Sequence, residues 1–474
     1  MCPARSQART PPAPRGRGWS APDGKPEPST RGPNAEPKID PARPPNPTVL
    51  EVTREPNPVK RLIKVLGPGL ITGASDDDPS GIATYAQAGA RYGYALLWVT
   101  LVTLPMMSAV QYICAKIGLV TGRGLAGALR EHYPRAILYP TVIAMIVANT
   151  INAGADIGAV AAAVNLIAPI PTLALVIPVS AGILALQIFG SYQLIARVFR
   201  WLALALLAYI AAALFARPNV ADVLAGTLIP TIRLEPQYIA MIVALLGTTI
   251  SPYLFFWQAS HEVEQEMDIG RKKLWQRQGA SKSELKYALW DTLAGMFFSQ
   301  IVAYFIMLAT GATLFTHGQT NIGSAVDAAQ ALRPVAGDAS AVLLSIGLIG
   351  AGVLAVPILT GSAAYGVSEA FGWKFGLDRP PTAAPQFYGV IVAATLVGMA
   401  INFVGINPID ALVITSVING MLAPPLLVLV MVVSNDRKVM GARTNGRLLN
   451  VMGWLTAAVM GVAALALIAT TLIG

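Results

Sequence analysis

Residues 73–90 read GASDDDPSGIATYAQAGA, and this stretch interrupts a long run of apolar sequence. Residues 62–72 before it and 94–120 after it are largely apolar, so Asp76, Asp77 and Asp78 fall at the depth of a membrane-spanning helix. An aspartate at such a depth costs about 2.5–3.5 kcal/mol on insertion scales, which makes an ionisable residue there a functional feature by default. The next residues show how the chain accommodates it. Pro79 has no backbone N–H and pushes Asp78 out of α geometry, and Gly81 tolerates almost any dihedral. The helix is predicted to break here, with free carbonyls ending one half and free N–H groups starting the next. Carbonyls beside aspartate oxygens form a cation site; the competing reading is a plain loop between two helices.

Composition sets the class. Hydrophobic residues make up 54% of the 474 and charged residues only 12%, the signature of a polytopic membrane protein. Cys2 lies in a tail and Cys114 inside an apolar segment, so neither a disulfide framework nor a thiolate metal cluster is available. His132, His261 and His317 fall far apart, which argues against a His-rich zinc site.

Residues 1–57 are rich in Pro, Gly and Arg and poor in apolar residues, and are expected to form a disordered cytoplasmic tail without a cleavable signal peptide. Residues 58–474 are expected to form the transmembrane domain. Eleven segments are long enough to span: 61–90 (broken), 94–121, 136–168, 172–190, 195–216, 238–267 (broken), 286–315, 338–371, 386–404, 409–434 and 449–473. Most basic residues crowd the tail and alternate loops, among them Arg123, Arg130, Arg271, Lys272, Arg437 and Lys438. The opposite loops carry only Arg91, Arg217, Arg233 and Arg333. The positive-inside rule then puts the N-terminus in the cytoplasm and Gly474 outside. The formal charge of +9 is thereby a matter of topology and calls for no nucleic-acid partner.

The sixth segment repeats the device of the first. Residues 245–264 read LLGTTISPYLFFWQASHEVE, with Ser251-Pro252 standing where Asp78-Pro79 stands in the first. A lone Ser-Pro in a span is most simply a kink. Paired interruptions at matching places in two halves, about 61–216 and 238–434, point instead to a transporter site near the midplane.

At this point the residues resemble a known family. Asp78-Pro79-Ser80-Gly81 is similar to the Asp-Pro-Gly-Asn signature of NRAMP divalent-metal transporters. The frame Gly67-Pro68-Gly69, Ala88-Gly89-Ala90, Gly93-Tyr94 and Leu97-Trp98 fits as well. Thr248-Thr249-Ile250-Ser251-Pro252-Tyr253-Leu254 falls where that family carries Ala-Thr-Val-Met-Pro-His-Asn. The resemblance covers about residues 60–474. It implies an all-α, LeuT-like fold of eleven transmembrane helices in 5+5 inverted repeats, with helices 1 and 6 broken and helix 11 appended.

The departures bear on the ion. Ser251 replaces the family's methionine, and a soft thioether favours Mn²⁺ or Fe²⁺ where a hydroxyl suits hard cations or leaves room for water. Gly81 replaces its asparagine, removing one ligand and widening the site. This combination resembles the NRAMP-related magnesium transporters, and Mg²⁺, which gives up water reluctantly, fits a roomy oxygen-only site. The rival is that Ser251 merely fills space in a Mn²⁺ site. The family's proton route also uses a histidine where Tyr253 stands, an aspartate where Ala153 stands, and arginines in helix 9; residues 386–404 contain no Arg or Lys.

Other polar residues lie in the spans. Asn149, Asn152 and Asp156 fall within about 60° of one another around helix 3, a narrow stripe. Asp156 either lines the aqueous vestibule or bonds to neighbouring helices. On helix 10, Asn419 best matches a polar ligand implied by the resemblance, with interhelical hydrogen bonding as the alternative. Glu262, Glu264 and Glu266 read most simply as a solvated face.

The sequence therefore predicts an importer or uniporter of divalent cations, Mg²⁺ before Mn²⁺, without proton coupling. The expected metal site is Asp78, Gly81, Thr248, Ser251 and Asn419, with Asp77, Asp156, Thr249 and Tyr253 lining a vestibule. The metal is substrate and no cofactor is expected. The partners are divalent cations and the lipid bilayer, with no nucleic acid and no obligate protein, and the setting is a bacterial inner membrane. Rivals are a proton-coupled Mn²⁺/Fe²⁺ importer, an organic-solute carrier on the same fold, and a membrane sensor. An enzyme is not expected, because no nucleophile–base pair or cofactor motif occurs.

Overall fold

The computed structural model describes residues 46, 47, 73, 76–190, 208–333, 337–377 and 379–473, and these are helices and their connections, with no strand among them. The principal helices are α1 (Pro79–Tyr92), α2 (Trp98–Thr121), α3 (Leu125–His132), α4 (Arg135–Ile167), α5 (Thr172–Phe189), α6 (Ala208–Phe215) and α7 (Val220–Leu228). They continue as α8 (Pro236–Thr249), α9 (Pro252–Asp268), α10 (Lys282–Thr313), α11 (Ser340–Phe371), α12 (Pro385–Ile401), α13 (Pro408–Asn435) and α14 (Arg447–Ile473).

Among the described residues nine helices, with α8 and α9 joined as one, are long and apolar enough to cross a membrane. They lie on nine of the eleven expected spans. Of the other two, residues 61–72 and 195–207 fall outside the described residues and only α1 and α6 are seen. The expected tail also falls outside them, apart from Asn46 and Pro47.

At both expected interruptions the described residues share one geometry. Asp76 is helical, Asp77 bends, and Asp78 is extended at φ −68° and ψ 168° before α1 begins on Pro79. In the sixth segment α8 stops at Ile250 (φ −117°, ψ 59°), Ser251 is extended at φ −73° and ψ 129°, and α9 begins on Pro252. In each case proline forbids helical backbone to the residue before it, while its fixed φ and missing N–H suit the first helical position. Helix starts elsewhere use ordinary caps, as where Ser281 and Glu284 cap α10 reciprocally.

The broken helices sit inside the bundle. α1 packs against α10 and α13, α8 against α13, and α9 against α2, while α4 runs along α11 and α12. Gly247 of α8 meets Gly420 of α13 so closely that a Cβ on either would overlap the facing backbone, and this lets the broken helix approach the tenth span. Tyr85, Tyr253, Phe255 and Trp257 are fully enclosed. Leu173 and Ile177 of α5 and Val462 and Leu465 of α14 point outward, as expected of helices whose solvent is lipid.

Candidate functional site

Asp78 caps α1. Its Oδ1 accepts from the Gly81 N–H at 2.6 Å and the Ser80 hydroxyl at 2.7 Å, and its Oδ2 accepts from the Asn152 amide of α4 at 3.0 Å. An ionised carboxylate offers about four acceptor positions, so three donors leave it able to take a further ligand.

Three more buried aspartates surround it. Ser299 of α10 donates to Asp76 Oδ2 at 2.9 Å and contacts Asp77 Oδ1 at 3.2 Å, while Asp76 Oδ1 and Asp77 Oδ2 have no hydrogen-bond partner. Asp156 of α4 lies within electrostatic reach of Asp78 and near the Ser80 N–H, with neither of its oxygens in good hydrogen-bond geometry. Among the described residues no Lys or Arg pairs with any of the four; the ion pairs present are Arg123–Glu131, Arg271–Glu266, Arg271–Glu284 and Arg333–Asp338. Four buried carboxylates without a cation are electrostatically costly, and a divalent ion would relieve that cost.

The second break faces the first. A Cβ on Gly81 would lie 3.0 Å from Thr248 Oγ1 and 3.3 Å from both Asp78 Oδ1 and the Asp76 carbonyl, so α1 and the end of α8 meet at this point. Thr248 Oγ1 has no hydrogen-bond partner. Across the site, Thr84 of α1 donates to Ser416 Oγ of α13 at 2.9 Å, and one turn further Asn419 is buried with its Nδ2 unpartnered. Tyr253 is enclosed within electrostatic reach of Asp76, Asp78 and Asp156. No three His, Cys, Asp or Glu side chains among the described residues form a ready metal-ligand cluster, so hydroxyls, amides, carbonyls or water have to complete any shell.

Several expectations change in detail. The Ser251 hydroxyl is turned back onto the carbonyls that the break frees, Thr248 O at 2.7 Å and Gly247 O at 3.1 Å, because those acceptors have lost their helical N–H partners. Gly81 does not open space in this conformation, since Thr248 Oγ1 and Asp78 fill it. Thr249 donates to Leu245 O within its own helix. Glu262, Glu264 and Glu266 are buried rather than solvated: Gln258 donates to Glu262, the Leu377 N–H to Glu264, and Arg271 to Glu266. Asn152 belonged to the polar stripe of helix 3, but its bond to Asp78 was not foreseen, nor were Ser299 and Tyr85. Ser299 gives no signal in the sequence. Tyr85 could have been noticed from its spacing, because Asp78, Gly81 and Tyr85 stand at i, i+3 and i+7 on one face of α1.

Two interrupted helices meeting at buried carboxylates inside an all-α membrane bundle define a LeuT-like transporter. The backbone agrees: Mhp1, a nucleobase-cation-symport-1 family transporter in a closed conformation with bromovinylhydantoin bound, superposes with TM-score 0.56 at 14% identity, covering 86% of this chain and 90% of that one. A manganese transporter of Eremococcus coleocola, in complex with an aromatic bis-isothiourea compound, superposes with TM-score 0.68 at 19% identity, covering 86% of each chain. The chain belongs to the Nramp family, natural resistance-associated macrophage protein-like, whose profile matches residues 69–470. It is 27% identical over 420 residues to the divalent metal cation transporter MntH of Deinococcus radiodurans, covering 87% of this chain and 91% of that protein. Members of this family are transporters and not enzymes, and metal ions are their substrate rather than a cofactor.

Proposed function

We propose that this chain imports divalent cations, Mg²⁺ in preference to Mn²⁺, down their electrochemical gradient and without moving protons. The observation that carries the reading is the group of four buried aspartates where the two helix breaks meet, paired with no Lys or Arg among the described residues and surrounded by hydroxyl, amide and carbonyl groups. Asp78 supplies the principal charge. Backbone carbonyls near Asp78 and Thr248 and the Asn419 side chain complete the shell together with water, and the Gly81 turn allows the helices to meet. Ser251 acts through the carbonyls it holds, and Asp77, Asp156, Thr249 and Tyr253 line the approach. Hard oxygen donors without a thioether favour Mg²⁺ over softer ions. Tyr253 in place of a histidine after Pro252, and a ninth span with no basic residue, support the lack of proton coupling.

In this reading residues 58–474 are the transporter, with repeats at about 61–216 and 238–434 and the last helix at 449–473. The N-terminus is cytoplasmic in a bacterial inner membrane, and the protein works without an obligate partner chain. Access alternates as the broken helices rock against a scaffold containing α4 and α11.

A second reading, proton-coupled Mn²⁺ import, is favoured by Asp156, a buried carboxylate beside Asp78 paired with no Lys or Arg among the described residues, and by the manganese transporters of the same fold. Purified protein in liposomes separates the two. Mn²⁺ uptake inhibited by Mg²⁺, with no change in a trapped pH-sensitive dye, is the expected result. Protein-dependent acidification of the interior on metal addition favours the second reading, and uptake indifferent to Mg²⁺ removes the first.

A further inference from the structure

Two buried hydroxyls at the junction of the broken helices lie close to one another, and neither has a hydrogen bond of good geometry. Thr248 Oγ1 ends α8, Tyr85 Oη comes from α1, and each residue is at most 1% exposed. They sit side by side, near enough to influence one another but outside hydrogen-bond geometry, with Asp76, Asp77 and Asp78 in electrostatic reach of the tyrosine. Spacing explains the pairing. Asp78, Gly81 and Tyr85 share one face of α1, and Thr248 is the residue that face meets at Gly81. Buried hydroxyls in native proteins rarely lack a partner, and two adjacent exceptions beside three carboxylates identify a place built for something polar.

The chemistry of the pair narrows what that is. Each hydroxyl oxygen accepts hydrogen bonds through its lone pairs. Water bound to a divalent cation is polarised and is a strong donor. Mg²⁺ usually keeps several of its waters when bound, whereas softer ions give way more readily to direct ligands. Ser251 differs from this pair: it donates its hydroxyl hydrogen to Thr248 O and Gly247 O and so already has partners.

We propose that Tyr85 and Thr248 form an outer-sphere receptor for hydrated Mg²⁺, in which waters retained by an ion at Asp78 donate to Tyr85 Oη and Thr248 Oγ1. The idea rests on the divalent-cation reading above and adds to it the residues that recognise the water. It adds to position 251 a second source of selectivity, a hydroxyl pair contributed by both broken helices.

Tyr85→Phe and Thr248→Val each remove the polar group with little change of shape, and Thr248→Ser returns a hydroxyl at the same place. Isothermal titration of detergent-solubilised full-length protein with MgCl₂ and, separately, MnCl₂ reads the effect. The dissociation constant for Mg²⁺ should rise about 5- to 10-fold in Tyr85→Phe and Thr248→Val. That for Mn²⁺ should rise less, shifting the Mg²⁺/Mn²⁺ affinity ratio at least 3-fold toward Mn²⁺. Thr248→Ser should recover most of the Mg²⁺ affinity, which also answers a Thr248→Val protein that does not fold. An unchanged ratio in Tyr85→Phe, equal losses for both ions, or a Thr248→Ser protein as impaired as Thr248→Val would overturn the inference while leaving divalent transport intact. Wild-type protein that binds Mn²⁺ but not Mg²⁺ would instead remove the magnesium reading, and the receptor with it.

Discussion

The Asn152 side-chain amide donates to Asp78 Oδ2 at 3.0 Å, tying the long, continuous α4 to the break that precedes α1. The contact joins an unbroken helix to a broken one at the principal charge of the site. A hydrogen bond to an ionised group contributes about 1.5–3 kcal/mol, and here it also fixes the direction of the carboxylate. Asn152→Ala should lower the melting temperature and slow metal uptake together. A variant with wild-type melting and wild-type uptake would mean that Asp78 is held by Ser80 and Gly81 alone.

Asp78 has two duties, capping and charge, and they can be separated. Asparagine is as good an N-cap as aspartate but carries no charge. Asp78→Asn should therefore keep the fold and the start of α1 while divalent uptake into proteoliposomes falls at least tenfold, since one carboxylate supplies most of the attraction for a dehydrating cation. Uptake at the wild-type level would shift the principal role to Asp76 or Asp77.

Both breaks were legible in the sequence because proline acts locally: whatever the tertiary context, it fixes the residue before it, here Asp78 and Ser251. The spans were legible because hydrocarbon imposes length and apolarity on any helix that crosses it. Side-chain direction was not legible. Ser251 reads as an ion ligand in the sequence, and what the sequence does not show is that its hydroxyl hydrogen goes to the carbonyls freed by the break. Gly81 looked like added room until the packing of α8 on α13 through Gly247 and Gly420 brought Thr248 against it. Glu264 looked solvated, and no local pattern announces that Leu377, more than a hundred residues later, folds over it.

Away from the ion, Arg271 holds two carboxylates. Its Nη1 lies 2.6 Å from both oxygens of Glu266 and 2.7 Å from Glu284 Oε1, joining the end of α9 to the start of α10 with all three side chains buried. Removing one partner of a buried ionic group costs about 3–5 kcal/mol, because the other charges stay behind. Arg271→Met should be strongly destabilised. Thermal unfolding checks this, and a wild-type melting temperature would show that other groups neutralise Glu266 and Glu284.

Ser251→Met tests selectivity at the break itself. The change adds a thioether suited to Mn²⁺ or Cd²⁺ and takes away the hydroxyl that satisfies Thr248 O and Gly247 O. The freed carbonyls become available to a cation, while the bulk of the methionine displaces water. Mg²⁺ should compete less well for Mn²⁺ uptake, and Cd²⁺ should compete better. Adding Gly81→Asn should push selectivity further but at a structural cost, because a Cβ at 81 comes within 3.0 Å of Thr248 Oγ1 and 3.3 Å of Asp78 Oδ1. Overpacking of this kind typically costs about 1–3 kcal/mol. Changing Thr248→Ala in the same protein removes the nearer clash and should recover the melting temperature. Competition curves of Mg²⁺ and Cd²⁺ against Mn²⁺ uptake, read beside thermal unfolding of the single, double and triple variants, test both halves of the argument. Equal Mg²⁺ competition throughout would show that positions 81 and 251 do not set selectivity. A double variant as stable as wild type would show that Thr248 moves aside freely.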